Sequence, residues 1–562
     1  MSLARPRLRR TRNIAASLLS LILLLAACGS DAGSPSPGGS QAPGSSNDSG
    51  GDTTITAAWT YLGTHDWSPA GSASDNEKVL GVMSNALVRL NKETLELEGE
   101  LAESFALSED GTTWTFTLRA GIPFHGGYGT LTAEDVKYTW GEHISPESEH
   151  GALEQLAQAI DGDLENFEII SELEFRLTTT SPIVHLPAVL CSCASGMAIH
   201  SKAYGDEVDD ETEANHPITT GPWQFVSSTS GVEVVLEAFD EYWEGRPAYD
   251  RLVLQEIPDE AARLVQVQSG AVDIAELAPR LTGEAEASGL EVRGVPNVGS
   301  VFVILGGSYW GDLECCELDE DAPWIQADDL EAGKAIREGL SLAIDRQLIF
   351  DTIQRGFGDL AFGPLLQYND NPDLVDPSWT LPEYDPDLAR QKLAEGGYPD
   401  GFPIEIFIYE GGETDLPSIA EAIAGMWEQE LGLDVTRTSA DEDVLDAMLD
   451  EASTDGFAWV KLAGYSAEPA LELGRYLERR GRDHKFLHPV LEAGYEAIAA
   501  EPDKDTRFAE TREMISALRD DTIVITLFTA EMLFAAGPRI GNWEPIPGLN
   551  AFSGFDTITV SE

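Results

Sequence analysis

Seven residues of this chain have types and positions that indicate chemistry, and that chemistry is binding rather than catalysis. Six are aromatic and one is a glutamate, and several stand near the ends of predicted strands. Aromatic rings offer flat apolar faces to an organic molecule, and a few polar groups beside them fix its orientation. The candidates are Tyr61, Trp67, Trp310, Tyr368, Trp459, Tyr465 and Glu468. Together they predict a site for a small-molecule solute.

Motifs for catalysis are absent from the sequence. It contains no Walker loop, no His-Glu-x-x-His, no Gly-x-Ser-x-Gly and no Gly-x-Gly-x-x-Gly between a predicted strand and helix. Two carboxylates could form a glycosidase centre, but 98 acidic residues supply such pairs by chance. His65 and His125 are typical of loop hydrogen-bonding residues rather than metal ligands. We therefore predict no enzyme, no cofactor and no metal site, with a secreted two-lobed hydrolase as the alternative.

The cysteines of the body form an even set, Cys191, Cys193, Cys315 and Cys316. In an exported protein an even number indicates disulfides, although the sequence does not determine their pairing. A soft-metal site is the alternative, but zinc ligand pairs usually show wider Cys-x2-4-Cys spacing with histidine nearby. We predict disulfides at these positions.

The N-terminal residues have the pattern of an export signal. Arginines precede an apolar run, Ile14–Ala27, which is of signal-peptide length and shorter than a membrane-spanning helix. The run ends in Leu-Ala-Ala-Cys-Gly, which resembles a bacterial lipobox, so residues 1–27 are a predicted signal peptide and Cys28 the lipid-bearing residue. Residues 28–51, rich in Ser, Gly and Pro, predict a flexible tether. The expected location is outside the cytoplasm, anchored to the cell membrane by this lipid, after export by the Sec or the twin-arginine route.

The charge of the chain is strongly acidic, with a formal net charge of −63 from 98 acidic and 35 basic residues. Such a balance disfavours nucleic acid as a partner. Two readings remain open for the acidic surface. It is either a solvated face, kept soluble and screened by external salt, or an attractor of cationic solutes.

The segment Leu101–Trp140 carries the clearest local structural pattern. Asp110 and Gly111 predict a tight turn, and the letters TWTFTL that follow alternate between apolar and hydroxylated residues as in a strand. Thr132 can cap the start of a helix, and Asp135, the third helical residue, can complete a capping box with it. The negative charge of Asp135 also suits the positive end of the helix dipole. A turn, a strand and a capped helix are therefore expected in quick succession.

This order of residues resembles the extracytoplasmic solute-binding proteins of the peptide, nickel and oligosaccharide class, family 5, which serve ABC importers. Leu-Ala-Glu-Ser, Asp-Gly, Phe-His and Thr-Ala-Glu-Asp-Val follow one another in that family as they do here. The resemblance continues through Gly245–Pro247, Ser269–Ile274 and Leu342–Arg346. Thr219 departs from it, since the family has glycine at this point of a turn.

The resemblance implies an α/β protein with the two-lobed periplasmic-binding-protein type II fold and an extra subdomain inserted in the N-terminal lobe. The implied boundaries are lobe I at 52–85, 215–298 and 523–562, the inserted subdomain at 86–214, and lobe II at 299–522. A crossover between lobes is expected around residues 290–300, and a monomer is expected. The implied function is solute capture between the lobes and delivery to the membrane subunits of an ABC permease. A further alternative is a sensor that binds a solute but is not coupled to transport.

The resemblance also implies roles for the candidate residues. In the family the end of the first strand reaches the ligand cleft, which favours Tyr61 and Trp67. Peptide-binding members carry a tryptophan followed by Asp-Tyr-x-Asp/Glu-Pro, and the first aspartate pairs with the free amino group of the peptide. Tyr465 takes that place here, between Trp459 and Glu468, and a neutral tyrosine cannot supply the ion pair. A free-amine peptide is therefore disfavoured relative to a sugar, a modified peptide or another solute.

Three further local predictions can be compared with the fold. Val79–Leu90 reads as an apolar helix, and Asp385-Pro386 as the start of a helix that ends at Gly396. A β-α-β unit is expected from the strand Ile404–Ile408 through the helix Ser418–Leu431 to a strand beginning at Leu433.

Overall fold

The computed structural model describes residues 53–71, 76–145, 148, 156–157, 160–192, 197–310, 318–361, 374–410, 415–451, 453–464, 468, 471, 488–547 and 553–561. Several predictions lie outside these residues: the signal peptide and tether with Cys28, and those for Cys193, Cys315, Cys316, Tyr368 and Tyr465.

Strands account for the main layers of the described structure. They are β1 (Thr54–Trp59), β2 (Val88–Leu90), β3 (Leu97–Gly99), β4 (Ala102–Leu107), β5 (Thr113–Leu118), β6 (Phe167–Ser171), β7 (Glu174–Thr178), β8 (Trp223–Thr229), β9 (Glu233–Ala238), β10 (Arg251–Glu256), β11 (Ile274–Glu276), β12 (Glu291–Leu305), β13 (Asp359–Leu360), β14 (Pro403–Glu410), β15 (Asp434–Asp441), β16 (Phe457–Gly464) and β17 (Val524–Ala536).

Helices connect these strands and cover the sheet. They are α1 (Glu77–Met83), α2 (Ala133–His143), α3 (Leu186–Val189), α4 (Lys202–Gly205), α5 (Asp210–Asn215), α6 (Glu260–Ser269), α7 (Thr282–Ala287), α8 (Leu330–Leu342), α9 (Arg346–Thr352), α10 (Pro386–Glu395), α11 (Leu416–Met426), α12 (Glu442–Asp450), α13 (Pro489–Ala500) and α14 (Lys504–Asp520). Among the described residues, none of these helices has the length and apolar character needed to traverse a lipid bilayer.

One large sheet organises the molecule, with the strand order β15-β14-β16-β12-β17-β11-β1-β10-β9-β8. The N-terminal half of the sheet contains β1 and β8–β11, and the C-terminal half contains β14–β16. Between them run β12 and β17, which pair with each other, while β12 also pairs with β16 and β17 with β11. This mixed α/β arrangement confirms the predicted two-lobed fold class.

The two long strands change register where they pass between the halves. The pairing of β12 with β17 is interrupted between Val295 and Gly299, where the sequence holds a proline that has no N–H to donate. We define the crossover as residues 295–300 of β12 and 529–532 of β17. It overlaps the region around residues 290–300 that the sequence predicts. β17 begins near the predicted boundary at 523 but pairs with the C-terminal part of β12 before it reaches the crossover at Thr529.

A separate apolar core lies within residues 86–218, together with Leu471. It is built on the sheets β2-β3 and β4-β5-β7-β6 and on α2. β5 buries alternate residues as its pattern predicts, and the Asp135 carboxylate accepts hydrogen bonds from the Thr132 N–H and hydroxyl, both at 2.8 Å. The turn, strand and capped helix predicted for Leu101–Trp140 are therefore confirmed.

The prediction of one helix over Val79–Leu90 is wrong. The helix α1 ends at Met83, and Val88–Leu90 forms β2, paired with β3. Gly221 lies so close to this helix end that a Cβ there would be 2.3 Å from the Met83 carbonyl carbon. Strand pairing and this backbone approach override the local apolar pattern.

The predicted second-lobe elements are confirmed. Asp385 caps α10 by accepting a hydrogen bond from the Leu388 N–H at 2.9 Å, Pro386 is its first residue, and Gly396 follows its end. β14 and β15 pair in parallel, and they are connected by α11 and a π-helical turn that ends at Leu431.

Glu100 provides a pH-dependent test of the fold. Its burial raises the carboxyl pKa from 4.5 to about 7, although hydrogen bonds from Asn85 Nδ2 at 2.8 Å and the Ala86 N–H at 2.9 Å favour the charged form. Because the pKa of Glu100 is higher in the folded state than in the unfolded state, its stabilising contribution is complete below the pKa of the unfolded state. That contribution is lost as the pH rises through the pKa of the folded state. The free energy of unfolding of the native chain, minus that of Glu100→Gln, should therefore fall by about 3 kcal/mol between pH 4.5 and pH 8.

Urea denaturation at several pH values measures this difference. Glu98→Gln is the control, because hydrogen bonds from Asn91 and Arg89 lower the pKa of Glu98 and its contribution is lost only as the solution becomes more acidic. A native-minus-Glu100→Gln difference that does not change with pH would contradict the assignment.

Candidate functional site

The directions of the strands bring their carboxyl ends towards the crossover from both sides. In the N-terminal half, β1 runs parallel to β10 and β11, and β11 runs antiparallel to β17. In the C-terminal half, β14 runs parallel to β15 and β16, and β16 runs antiparallel to β12. Ligands of open α/β sheets bind outside the carboxyl ends of their parallel strands. The crossover is therefore the place in the described fold where a solute could contact both halves.

On the N-terminal side, two carboxylates hold the chain that leaves β1. Glu276 Oε2 accepts hydrogen bonds from the Thr60 N–H at 3.1 Å and the Thr60 hydroxyl at 2.6 Å, and Glu256 Oε2 accepts one from the Leu62 N–H at 3.2 Å. Tyr61 lies between these two anchored residues and is 42% exposed. A ring supported on a fixed backbone is suited to pack against a solute.

At the crossover, three polar residues form a row across three strands. Ser300 of β12 lies opposite Thr529 of β17, and Thr529 lies opposite Asp359 of β13. The Thr529 hydroxyl accepts a hydrogen bond from the Asp359 N–H at 3.0 Å. The Ser300 hydroxyl is fully buried and has no hydrogen-bond partner in the described structure, and the same holds for the side-chain amide of Gln354. Unpaired buried polar groups are costly, so these two could accept or donate to a bound molecule.

Glu531 is the charged residue of the crossover. Its Oε1 accepts a hydrogen bond from the Gly358 N–H at 3.2 Å. Burial raises the pKa of this half-buried carboxyl, the neighbouring Asp359 raises it further, and the Gly358 hydrogen bond opposes both. Among the described residues no lysine, arginine or histidine forms an ion pair with Glu531. It could therefore accept hydrogen bonds from a solute or pair with a solute cation.

On the C-terminal side, Glu468 is engaged within the protein. Its two carboxylate oxygens accept hydrogen bonds from Arg507 Nε and Nη2, each at 3.0 Å, and both side chains are 9% exposed. This bidentate pair ties the segment after β16 to α14. Glu468 thus supports the segment, and its charge is already compensated by Arg507.

The predicted tryptophans lie in packed surroundings. Trp459 and Trp67 have no exposed surface, with Trp459 opposite Ile304 in the sheet and Trp67 beside His65 at a ring distance of 5.3 Å. Trp310 packs against the main core, and the Arg337 guanidinium lies 5.9 Å from its ring centre. In this conformation Trp67 and Trp459 offer no free face to a solute. Of the predicted aromatic residues that the structure describes, Tyr61 is exposed whereas Trp67 and Trp459 are fully buried, so these do not form one exposed surface.

Sequence reasoning missed the crossover residues Ser300 and Glu531, Gly358, whose N–H bonds to Glu531, and the buried amide of Gln354. One signal could have identified Glu531, because it is the single charge in the largely apolar stretch VITLFTAEMLFAA of β17. A charge within a buried strand is costly unless it has a partner or a function. The other three residues carry no comparable sequence signal.

The predictions for disulfides and metal can be compared with the described residues only in part. Cys191 is buried and disulfide-bonded. Within the described ranges no group of three or more His, Cys, Asp or Glu side chains is arranged to hold a metal ion.

Comparisons with known proteins identify what this chain resembles. The family model described as Bacterial extracellular solute-binding proteins, family 5 Middle matches residues 96–470, more than half of the chain. Heme-binding protein A of Haemophilus influenzae is 28% identical over 61% of this chain and 62% of its own length, and the oligopeptide-binding protein AppA of Bacillus subtilis is 26% identical over 55% and 53%. The chain thus matches about half to three fifths of the length of these relatives.

Solved structures match over a greater length. The periplasmic binding protein DppA of Helicobacter pylori, in complex with the peptide STSA, has a TM-score of 0.72 at 18% identity, over 91% of this chain and 99% of that one. The AppA structure of Bacillus subtilis, in complex with a nonapeptide, has the same TM-score, identity and coverage. At this level of identity the likeness establishes the fold alone.

Proposed function

Because this chain belongs to family 5 of the bacterial extracellular solute-binding proteins, we propose that it is the solute receptor of an ABC importer. It captures a peptide-like or oligosaccharide-like solute between its two lobes and delivers it to the permease subunits. It acts outside the cytoplasm, held to the cell membrane by a lipid on Cys28, and it catalyses no reaction. Relatives named as heme-, oligopeptide-, dipeptide- and glutathione-binding proteins support the receptor class.

The observation that carries this proposal is the meeting of strand ends at the crossover. Two strands, β12 and β17, join the halves of the large sheet there, and both change register against each other at that point. A solute that contacts Tyr61 on one side and the C-terminal half on the other would favour a closed arrangement of the lobes. Closure by ligand contacts is a population shift between two conformations, and a permease can distinguish them.

The charge of the crossover favours a solute rich in hydrogen-bond donors. Tyr465 replaces the aspartate that pairs with the free amino group in peptide-binding members, whereas the crossover carries the Glu531 carboxylate on β17, with Asp359 of β13 as its neighbour, and the unpaired hydroxyl of Ser300 on β12. Hydroxyl-rich sugars and modified peptides both supply such donors. This arrangement supports either class of solute, with Glu531 as its acceptor.

The experiment is to purify the full chain, release what co-purifies by denaturation, and identify it by mass spectrometry. The recovered molecule is then titrated by calorimetry against fresh protein. Tyr61→Ala should weaken its binding about tenfold, since loss of an aromatic contact costs on the order of 1 kcal/mol beyond the area lost. Tyr384→Ala is the matched control, because Tyr384 is also 42% exposed but lies in the segment before α10 rather than at the carboxyl end of β1.

Equal affinity of both variants for the solute would remove Tyr61 from the site. Chemical conversion of the solute by purified protein would overturn the receptor in favour of the hydrolase. Binding without any associated permease would indicate a sensor that is not coupled to transport.

A further inference from the structure

A cavity of about 350 Å³ opens in the C-terminal half of the molecule. It lies among α8, α10 and the start of β17, and no crossover residue lines it. Leucines form much of its apolar wall, at Leu342, Leu381 and Leu388. The cavity is within the size range of small-molecule sites and combines an apolar wall with a few charged groups.

Arg346 is the buried charge of this cavity. The residue is 5% exposed, and its guanidinium donates from Nε to the Thr526 carbonyl at 2.7 Å, from Nη1 to the Ser341 carbonyl at 3.0 Å and from Nη2 to the Ser341 hydroxyl at 2.7 Å. All of these acceptors are neutral. Among the described residues no carboxylate lies within ion-pair distance of Arg346. A buried charge without a counter-charge is expensive, so an anion entering the cavity would gain from pairing with it.

The other charges that line the cavity do not supply that partner. Lys392 Nζ lies 2.6 Å from the Glu338 carboxylate, and the Asp520 carboxylate interacts electrostatically with the Arg519 guanidinium. Each of these cations therefore has an acidic neighbour of its own. Among the described residues that line the cavity, Arg346 is the cation on which no carboxylate acts, in a chain whose formal net charge is −63.

We propose that this cavity is a second binding site, for a small amphipathic carboxylate. The carboxylate of the ligand pairs with Arg346, and its apolar part lies against Leu342, Leu381 and Leu388. The site is independent of the crossover and of the solute that binds there. Through this site the protein binds an anion, although its net negative charge otherwise repels anions.

Octanoate is the probe, because it joins one carboxylate to an apolar chain, and 1-octanol is its uncharged counterpart. Both are titrated into the full chain by calorimetry at fixed ionic strength. Leu388→Trp should fill the cavity, and it should fold because Leu388 is 36% exposed. Leu348→Trp is the matched control, since Leu348 is 49% exposed and does not line the cavity.

We expect 1-octanol to bind at least tenfold more weakly than octanoate. Leu388→Trp should weaken octanoate at least tenfold, and Leu348→Trp less than twofold, while both retain the crossover solute. Arg346→Gln should also weaken octanoate at least tenfold; if this variant fails to fold, Leu388→Trp alone decides. Absence of octanoate binding, equal binding of 1-octanol, or unchanged binding by Leu388→Trp would overturn the proposal.

Discussion

Replacing Glu468 with Gln should lower the free energy of unfolding by about 3 kcal/mol, because it leaves the buried Arg507 guanidinium without its counter-charge. The native pair is bidentate, with both hydrogen bonds at 3.0 Å and both side chains 9% exposed. Glutamine has one acceptor oxygen and no charge, so it cannot satisfy both nitrogen donors. Urea denaturation, extrapolated linearly to water, gives the two free energies.

A matched control for the Glu468–Arg507 pair lies one helical turn before Arg507 on α14. Lys504, at the start of α14, forms an ion pair with Glu96 at 3.1 Å, and these side chains are 52% and 67% exposed. Glu96→Gln should cost less than about 1 kcal/mol, since water screens exposed pairs. A Glu468→Gln loss no larger than that of Glu96→Gln would show that the buried pair does not stabilise the fold. Replacing both Glu468 and Arg507 with leucine should recover most of the loss, because no buried charge then remains unpaired.

Gly358→Ala should be among the most damaging changes at the crossover. Gly358 has a φ of 106°, and a Cβ there would lie 2.0 Å from the Thr529 carbonyl oxygen and 3.0 Å from its carbon. The backbone of β13 would have to move away from β17, which would break the Gly358 hydrogen bond to Glu531. We expect a loss of about 3 kcal/mol in unfolding free energy and at least tenfold weaker binding of the crossover solute.

Gly356 separates the effect of the clash from the effect of the backbone angle. It also has a positive φ, of 81°, but a Cβ there would meet nothing within 4 Å. Gly356→Ala should therefore cost about 1 kcal/mol, from the left-handed backbone conformation alone, and leave solute affinity unchanged. Denaturation and calorimetry on both variants measure the two effects. If Gly358→Ala and Gly356→Ala behave alike, close packing of β13 on β17 is not required for binding.

The two replacements test different parts of one arrangement. Glu468 ties the segment after β16 to α14, while Gly358 allows β13 to approach β17 beside Glu531. Loss of stability without loss of affinity is the pattern expected of a support. Loss of affinity beyond the loss of stability is the pattern expected at the crossover itself.

The sequence by itself determined the features that depend on neighbours along the chain. The alternating strand β5, the cap formed by Thr132 and Asp135, and the start of α10 at Asp385-Pro386 were all predicted and confirmed. Side-chain alternation, capping and turn chemistry act over a few residues, so they can be read before the fold is known. The same local order carried the resemblance that identified the family.

Only the tertiary structure decided which polar groups meet. Ser300, Asp359 and Thr529 come together through strand pairing, and Gly358 reaches Glu531 across 173 residues of chain. Trp459 illustrates the same limit, since an aromatic side chain suits a binding face and an apolar core equally well, and packing places it in the core. Glu468 is predicted from the sequence as a solute contact, and the fold shows that its carboxylate pairs with Arg507. The sequence therefore fixes the local elements and the family, whereas long-range pairing and burial decide which side chains remain available to a ligand.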